Sequence, residues 1–150
     1  MRRILLGALL AGLALIPGAA RAQAAGDEAA VRRAALDYIE GFYEGDAAKL
    51  TRSIRPDVRK FGFHRNAQAA AWQGEPMSFQ EMIEYAERVK ASGRGAPQGA
   101  PKEVQILDVQ DQTAAAKVVA WWGTDYLQLA KYDGRWMILH VLWQSPPPAK

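Results

Sequence analysis

Apolar residues recur at helical spacing in the first half of the chain. The first helix is predicted over about residues 27–44, with Asp27 as its N-cap and Gly45 at its C-terminal end. Its buried stripe consists of Val31, Ala35, Tyr38 and Phe42. A short second helix is expected after Asp46, because this residue can cap it and Pro56 must follow its end.

A third helix is predicted over about residues 79–91, since Ser78 and Glu81 have capping-box spacing ahead of an apolar stripe. The remaining pattern alternates with the strand period and predicts strands over about residues 58–63, 103–109, 113–122, 125–132 and 135–143. The Asp133-Gly134 pair between the last two strands is a strong signal for a two-residue hairpin turn. Helices followed by an antiparallel meander indicate the α+β class, with the sheet curled around the helices.

Pairing the last two strands through this turn sorts their side chains onto two faces. The first face holds Tyr126, Gln128, Ala130, Met137, Leu139, Val141 and Trp143. The second holds Asp125, Leu127, Leu129, Lys131, Trp136, Ile138, His140 and Leu142. Both are largely apolar, whereas a sheet covered on one side normally alternates apolar with polar residues. We expect the helices to cover the first face and a second subunit to cover the other, which predicts a homodimer.

The N-terminal residues have the pattern of a signal peptide. Arg2 and Arg3 precede an apolar run over residues 4–16, and A-x-A sites end at Ala22 and Ala24. The run is shorter than the roughly 20 apolar residues of a spanning helix, which argues against a stable membrane anchor. The predicted organisation is therefore a signal peptide over residues 1–24, one domain over 25–145 and a disordered tail over 146–150. The expected location is the periplasm or the exterior.

Charge and composition exclude several classes of function. The chain has 19 Lys and Arg against 16 Asp and Glu, and three of the arginines would leave with the leader, so the mature domain is neutral. A neutral domain gives no support to nucleic-acid binding. Cysteine is absent, and the only histidines, His64 and His140, lie in no metal-binding spacing. We therefore predict no metal and no cofactor.

Three segments, at residues 38–46, 56–60 and 125–136, together resemble the putative lumazine-binding family of the nuclear transport factor 2-like superfamily. The resemblance implies a cone-shaped fold, in which a curved, mostly antiparallel sheet wraps around three helices and a pocket lies between them. The chain departs from the family at Arg55, where a histidine is expected before Pro-Asp.

The same superfamily contains ketosteroid isomerase, which uses a tyrosine, an aspartate base and a protonated aspartate. On this chain the tyrosine falls on Tyr38, the base near Gly62 and the protonated acid near Gln128. Neither of the last two residues can titrate, so no catalytic residue is assigned. Tyr38 and Gln128 could instead orient a carbonyl or heterocycle in a pocket.

The predicted ligand site combines these positions with the first face of the hairpin and the region of the first strand. It consists of Tyr38, Gln128, Tyr126, Leu139, Val141, Trp143, Asp57 and His64. Asp57 and His64 belong to a polar cluster with Arg59, Lys60 and Arg65. This cluster is either the rim of an anion-binding mouth or an ion-paired turn.

The leading hypothesis is an exported module that binds a small planar ligand without catalysis. One alternative is an isomerase- or dehydratase-type enzyme that uses Tyr38 and nearby polar groups. The other is an interaction-only dimeric domain whose pocket is filled by side chains. A buried carboxyl group beside Tyr38 would favour the enzyme, an apolar cavity the binder, and a filled pocket the interaction domain.

Overall fold

The computed structural model describes residues 17–65 and 71–147, with side chains from residue 21 onward. Within these residues there are three helices and six strands. The helices are α1 (Pro17–Glu44), α2 (Ala47–Ser53) and α3 (Phe79–Ser92). The strands are β1 (Ile54–His64), β2 (Gln73–Met77), β3 (Glu103–Val109), β4 (Thr113–Ala120), β5 (Gly123–Tyr132) and β6 (Arg135–Gln144).

The six strands form one sheet in the order β2-β1-β6-β5-β4-β3. Every neighbouring pair is antiparallel except β1 and β6, which are parallel. This arrangement confirms the predicted α+β class, with a curved and mostly antiparallel sheet around three helices. In the ranges 17–65 and 71–147, no helix is long and apolar enough to cross a membrane.

The central helix α1 packs through the predicted stripe: Val31, Ala35 and Tyr38 are fully buried and Phe42 is nearly so. Its start was predicted wrongly, because the helix begins at Pro17 and Asp27 lies inside it. Asp27 instead accepts hydrogen bonds from Lys131 Nζ at 2.7 Å and Trp136 Nε1 at 2.9 Å, which ties α1 to the β5–β6 hairpin. The apolar run of the predicted leader lies outside the described residues, as do residues 148–150 of the predicted tail.

Strand β1 begins at Ile54, directly after α2, and the register of its pairing with β6 shifts between Ile54 and Arg59. Pro56 lies within this irregular stretch, where a missing N–H group does not interrupt a regular ladder. The adjoining strand β2 was not predicted. It is an edge strand that is exposed except at its last residue, so it lacks the alternation that reveals a half-buried strand.

The β5–β6 hairpin turns at Asp133 and Gly134, whose φ angles of 49° and 76° are typical of the predicted type of turn. Lys131 pairs with Trp136 and Leu129 with Ile138, as the two-residue turn requires. The register then shifts, and Gln128 pairs with His140. Leu139 is therefore an extra residue in β6, and the side chains beyond it change faces.

The predicted assignment of the two hairpin faces is wrong. Leu127, Leu129, Trp136 and Ile138, which were expected to meet a second subunit, are buried within the monomer as part of its core. Because both faces are apolar, alternation separates the two sets without showing which one meets the helices. The bulge at Leu139 then brings Val141 and Trp143 to the helix side, opposite Leu127 and Asp125.

Candidate functional site

The site is an apolar cavity between the helices and the inner face of the sheet, with a volume of about 160 Å³. Its walls come from α1, β1, β2, α3, β6 and the turn between β4 and β5. They are formed by Phe42, Lys60, Met77, Tyr85, Trp121, Trp122 and Trp143. Trp121 is 47% exposed and marks the solvent side of this aromatic cavity.

Edge-to-face ring contacts hold the aromatic walls together. The ring of Trp122 lies 5.5 Å from Phe42 and 5.5 Å from Tyr43, and Phe42 lies 5.6 Å from Tyr85. The Tyr43 hydroxyl accepts a hydrogen bond from the Trp121 backbone N–H at 2.8 Å and donates to the Pro101 carbonyl. These contacts fix the position of the β4–β5 turn, and thus of both of its tryptophans.

Trp143 lies across β1 because the strand has a glycine beneath it. A Cβ atom on Gly62 would lie 1.8 Å from Trp143 Nε1, so no larger residue fits under this indole. The ring of His64 stacks on the Trp143 indole, with ring centroids 6.5 Å apart and an interplanar angle of 8°.

A buried chain of hydrogen bonds runs behind the cavity. Lys60 Nζ donates to the Tyr38 hydroxyl at 2.5 Å, and this hydroxyl donates to Asp125 Oδ2 at 2.6 Å. Trp122 Nε1 donates to Asp125 Oδ1 at 2.8 Å. Lys60 lines the cavity, whereas Tyr38 and Asp125 are not among the residues that line it. Lys60 and Trp122 are therefore the members of this network that a ligand can contact, and they lie between the ligand and the Tyr38–Asp125 pair.

Burial determines the ionisation of two groups in this network. Burial, followed by the charge of Asp125, raises the pKa of Tyr38 well above its usual value, so the phenol keeps its proton and donates it. Burial lowers the pKa of Lys60, and Asp125, 3.8 Å from Nζ, offsets part of that effect. Nζ also lies 5.1 Å from the Tyr38 ring, 5.4 Å from the Phe42 ring and 5.6 Å from the Trp143 ring, so aromatic faces contribute to holding the cation.

The structure brings together only part of the predicted site. Tyr38, Val141 and Trp143 lie on the helix side of the sheet, and of these only Trp143 lines the cavity. Tyr126 and Gln128 are exposed on the opposite face, where Gln128 Oε1 lies 2.8 Å from His140 Nδ1. Leu139 lies on that same outer side. The expectation that Tyr38, Gln128, Leu139 and Val141 share one cavity is therefore wrong.

The other two predicted residues, Asp57 and His64, do not line the cavity. Asp57 is exposed and pairs with Arg55 through hydrogen bonds of 3.0 and 3.3 Å. This geometry is that of the ion-paired turn, the second interpretation of the polar cluster. His64 is half-buried, and its Nδ1 lies 3.6 Å from Glu75 Oε1. Among the described residues, no group of three His, Cys, Asp or Glu side chains could hold a metal ion.

Two residues of the site were missed by reasoning from sequence. Lys60 was placed in the polar cluster, although it alternates with Val58 and Gly62 and therefore shares their inward face. Asp125 was seen only as one member of a hairpin face, because the carboxyl group was sought at Gln128. Alternation within β1 could have revealed Lys60, whereas Asp125 required the correct face of β5.

Comparison with known protein families matches residues 26–144 to the family described as putative lumazine-binding. The chain belongs to this family. The match confirms the predicted resemblance and covers both strands of the hairpin and the whole aromatic cavity. Comparison with curated protein sequences finds no match.

Solved structures similar to this member of the putative lumazine-binding family share its fold. An NTF2-like protein of unknown function from Shewanella baltica has 16% identity and a TM-score of 0.66, covering 83% of this chain and 97% of its own. An NTF2-like protein with a cystatin-like fold from Novosphingobium aromaticivorans has 14% identity and a TM-score of 0.61, covering 92% and 94%. The association domain of C. elegans CaMKII has 12% identity and a TM-score of 0.55, covering 83% and 98%.

Proposed function

We propose that the protein is an exported module that binds one small, planar ligand in the aromatic cavity. The observation that carries this proposal is the composition of the walls, which are aromatic and apolar except for the lysine at their inner end. Sites for small ligands typically combine such walls with a few polar groups that set orientation. The family name, putative lumazine-binding, supports a ligand of this kind.

The cavity volume limits how much of a ligand can enter. An apolar protein cavity of about 150 Å³ holds one benzene molecule. The 160 Å³ of the aromatic cavity therefore matches one six-membered ring, with any second ring lying toward Trp121 at the solvent side. A fused bicyclic heterocycle such as lumazine would enter by one ring.

Lys60 determines which chemical group of the ligand can lie at the inner end of the cavity. Its Nζ is a hydrogen-bond donor, so it favours a carbonyl oxygen or an anionic group on the ligand. A cationic ligand is disfavoured, because Nζ already lies near the rings of Phe42 and Trp143 and would repel a second positive charge. The ligand proposed here is therefore a neutral or anionic planar ring with a carbonyl group.

The isomerase- or dehydratase-type alternative gains one feature, since the carboxyl group of Asp125 lies beside Tyr38. The Tyr38 hydroxyl, however, already donates to Asp125 and accepts from Lys60, and neither Tyr38 nor Asp125 lines the cavity. Tyr38 therefore has no free proton to offer a bound carbonyl. The interaction-only alternative requires a filled pocket, and the open volume of the cavity argues against it.

Fluorescence titration tests the binding proposal, because three tryptophans line the cavity. Lumazine is expected to quench the emission in a saturable manner. Trp143→Phe should weaken the binding, and the matched change Trp72→Phe, at an exposed tryptophan that does not line the cavity, should leave it unchanged. Lys60→Met should lower the affinity about 10-fold or more, the scale of a charged hydrogen bond of about 1.5–3 kcal/mol. Quenching by lumazine that is equal in the wild type and in all three variants would contradict the proposal.

We further propose that the protein forms a homodimer through the outer face of the sheet, with a set of residues that shares only Leu142 with the face expected from the sequence. Phe61 pairs with Leu142 on β6, and Leu142 pairs with Tyr126 on β5, so the three side chains form a row across neighbouring strands. Phe63 continues the row, with its ring 5.4 Å from Phe61. These four side chains, the outer row, are 41–53% exposed. A second copy of the neutral domain would cover such a row without charge repulsion.

A further inference from the structure

We propose that Lys60 is a nucleophilic amine that forms an imine with an aromatic aldehyde or ketone bound in the aromatic cavity. The inference rests on the proposed function, since the carbonyl compound must first enter the cavity. It goes beyond that function by assigning a covalent step to one atom, Lys60 Nζ.

Lys60 lies where a carbonyl compound bound in the cavity would meet it. Among the described residues that line the cavity, it supplies the one primary amine. Its side chain is only 6% exposed, and Nζ lies within 6 Å of the rings of Phe42 and Trp143, two of the cavity walls. A flat ring held against these walls, with its carbonyl group directed inward, would bring the carbonyl carbon to Nζ.

The hydrogen-bond network provides a route to the neutral amine, which is the only form that attacks a carbonyl carbon. Lys60 Nζ donates to Tyr38, which donates to Asp125. A proton can move from Nζ to the Tyr38 oxygen while the phenolic proton moves to Asp125 Oδ2. This concerted transfer converts a buried ion pair into a neutral amine and a neutral carboxylic acid without forming phenolate. Burial favours the neutral amine at Nζ, in agreement with the lowered pKa of Lys60.

The bond changes balance without any further reagent. The Nζ lone pair forms a bond to the carbonyl carbon, the C=O π bond breaks, and one Nζ proton passes to the oxygen to give a carbinolamine. Asp125 then returns its proton through Tyr38 to the carbinolamine nitrogen. One proton passes from this nitrogen to the carbinolamine hydroxyl, the C–O bond breaks, and water leaves. The nitrogen lone pair completes the C=N bond. The products are an iminium cation, the Asp125 carboxylate and one molecule of water.

The same surroundings would stabilise the product. The iminium nitrogen keeps one proton, which can still be donated to Tyr38, and its positive charge faces the Asp125 carboxylate. The rings that surround Nζ favour a cation there. The apolar walls limit the access of water, which would hydrolyse the imine.

The lysines used for comparison, Lys49 and Lys90, lack this combination of burial and proton relay. Lys49 Nζ contacts Glu40 at 2.8 Å and Glu44 at 2.6 Å. Although its partial burial acts in the opposite direction, these carboxylates raise the pKa of Lys49 and hold it as ammonium. Lys90 is exposed and does not line the cavity. Selective reaction at Lys60 is therefore the distinguishing expectation.

Reductive trapping tests the inference on the full chain. The protein is incubated with benzaldehyde and cyanoborohydride near pH 6, and the benzylated lysines are located by peptide mass spectrometry. Lys60 should be modified at least 10-fold faster than Lys49 or Lys90 in the same sample. Its rate should rise with pH and level off below the ordinary lysine pKa of about 10.4. Lys60→Arg, which keeps the cation but cannot form an imine, should lose the fast modification.

Benzyl alcohol, which has the same ring without the carbonyl group, separates this inference from the proposed function. If benzyl alcohol quenches the tryptophan emission but Lys60 is modified no faster than Lys49 or Lys90, the covalent step is wrong and the binding proposal stands. If neither benzyl alcohol nor lumazine changes the emission and Lys60 is not selectively modified, both proposals fail. Fast modification of Lys60 that persists when excess benzyl alcohol is added would also overturn the inference, because the reaction would then not require the cavity.

Discussion

Gly62 and Trp143 lie so close together that a Cβ atom on Gly62 would stand 1.8 Å from the indole Nε1. The glycine thus leaves room for the indole, which forms one wall of the aromatic cavity. Gly62 is also near the position where the isomerase pattern expects a catalytic base. At this position the chain therefore has a glycine that makes room for a wall of the cavity instead of a base. The polar group of the cavity is Lys60, two residues earlier.

Gly62→Ala should displace Trp143, lower the free energy of unfolding by about 1–3 kcal/mol and weaken lumazine binding. Strain and lost packing act together here, because the added methyl group overlaps a rigid indole. Gly26→Ala is the matched control, since a Cβ atom on Gly26 meets nothing within 4 Å and alanine is the better helix former. Denaturant unfolding and fluorescence titration measure both effects. Unchanged stability and binding in Gly62→Ala would contradict the arrangement of this wall.

Asp27→Asn should lower the melting temperature at neutral pH and have little effect near pH 2. Hydrogen bonds, first from Lys131 and then from Trp136, lower the pKa of Asp27 from 3.8 to about 2. A lowered pKa in the folded state stabilises the protein above the ordinary value of 3.8, and this contribution is lost as the pH falls toward 2. The melting temperatures of the two proteins should therefore differ at pH 7 and converge near pH 2.

Glu28→Gln is the control for this series. Glu28 is exposed, and its contact with Arg32 is a 3.7 Å surface pair of the kind that contributes little to stability. Its melting curve should follow that of the wild type at every pH. A constant difference between Asp27→Asn and the wild type down to pH 2 would show that the carboxylate charge of Asp27 does not stabilise the fold.

Leu142→Asp should convert the proposed dimer to a monomer without unfolding it. Leu142 is 52% exposed at the centre of the outer row, so a charge there is solvated in the monomer and buried only in the dimer. Leu107→Asp makes the same change at an exposed leucine of β3 outside the outer row and should leave the dimer intact. Sedimentation velocity at micromolar concentration distinguishes these outcomes, and a monomeric wild type would exclude the proposed dimer.

Export predicts that the protein isolated from its host begins at Gln23 or Ala25, after one of the two A-x-A sites. Either cleavage would leave Asp27 and its hydrogen bonds to Lys131 and Trp136 in the mature chain. The domain should therefore keep the stability that this anchor contributes. N-terminal sequencing checks the cleavage, and an intact Met1 in the isolated protein would contradict it.

The sequence by itself determined the elements of this fold where local physics decides the outcome. The helical stripe from Val31 to Phe42, the capping box at Ser78 and the turn at Asp133-Gly134 follow from side-chain spacing, hydrogen bonding and positive φ angles. The edge strand β2 escaped prediction because its residues are exposed and do not alternate. The start of α1 was predicted wrongly because Asp27 has the residue type of an N-cap. In the structure Asp27 lies inside the helix and contacts the β5–β6 hairpin.

Only the tertiary structure decided which face of the hairpin meets the helices and which residues form the site. Both faces are apolar, so the sequence pattern is equally compatible with either orientation. The bulge at Leu139 then moved Val141 and Trp143 to the side of Leu127 without a local signal. Asp125 joins Tyr38 across 87 positions of the chain, and their contact depends on the packing of α1 against the sheet. A site built from such distant contacts is determined by packing, because no short-range interaction favours one face over the other.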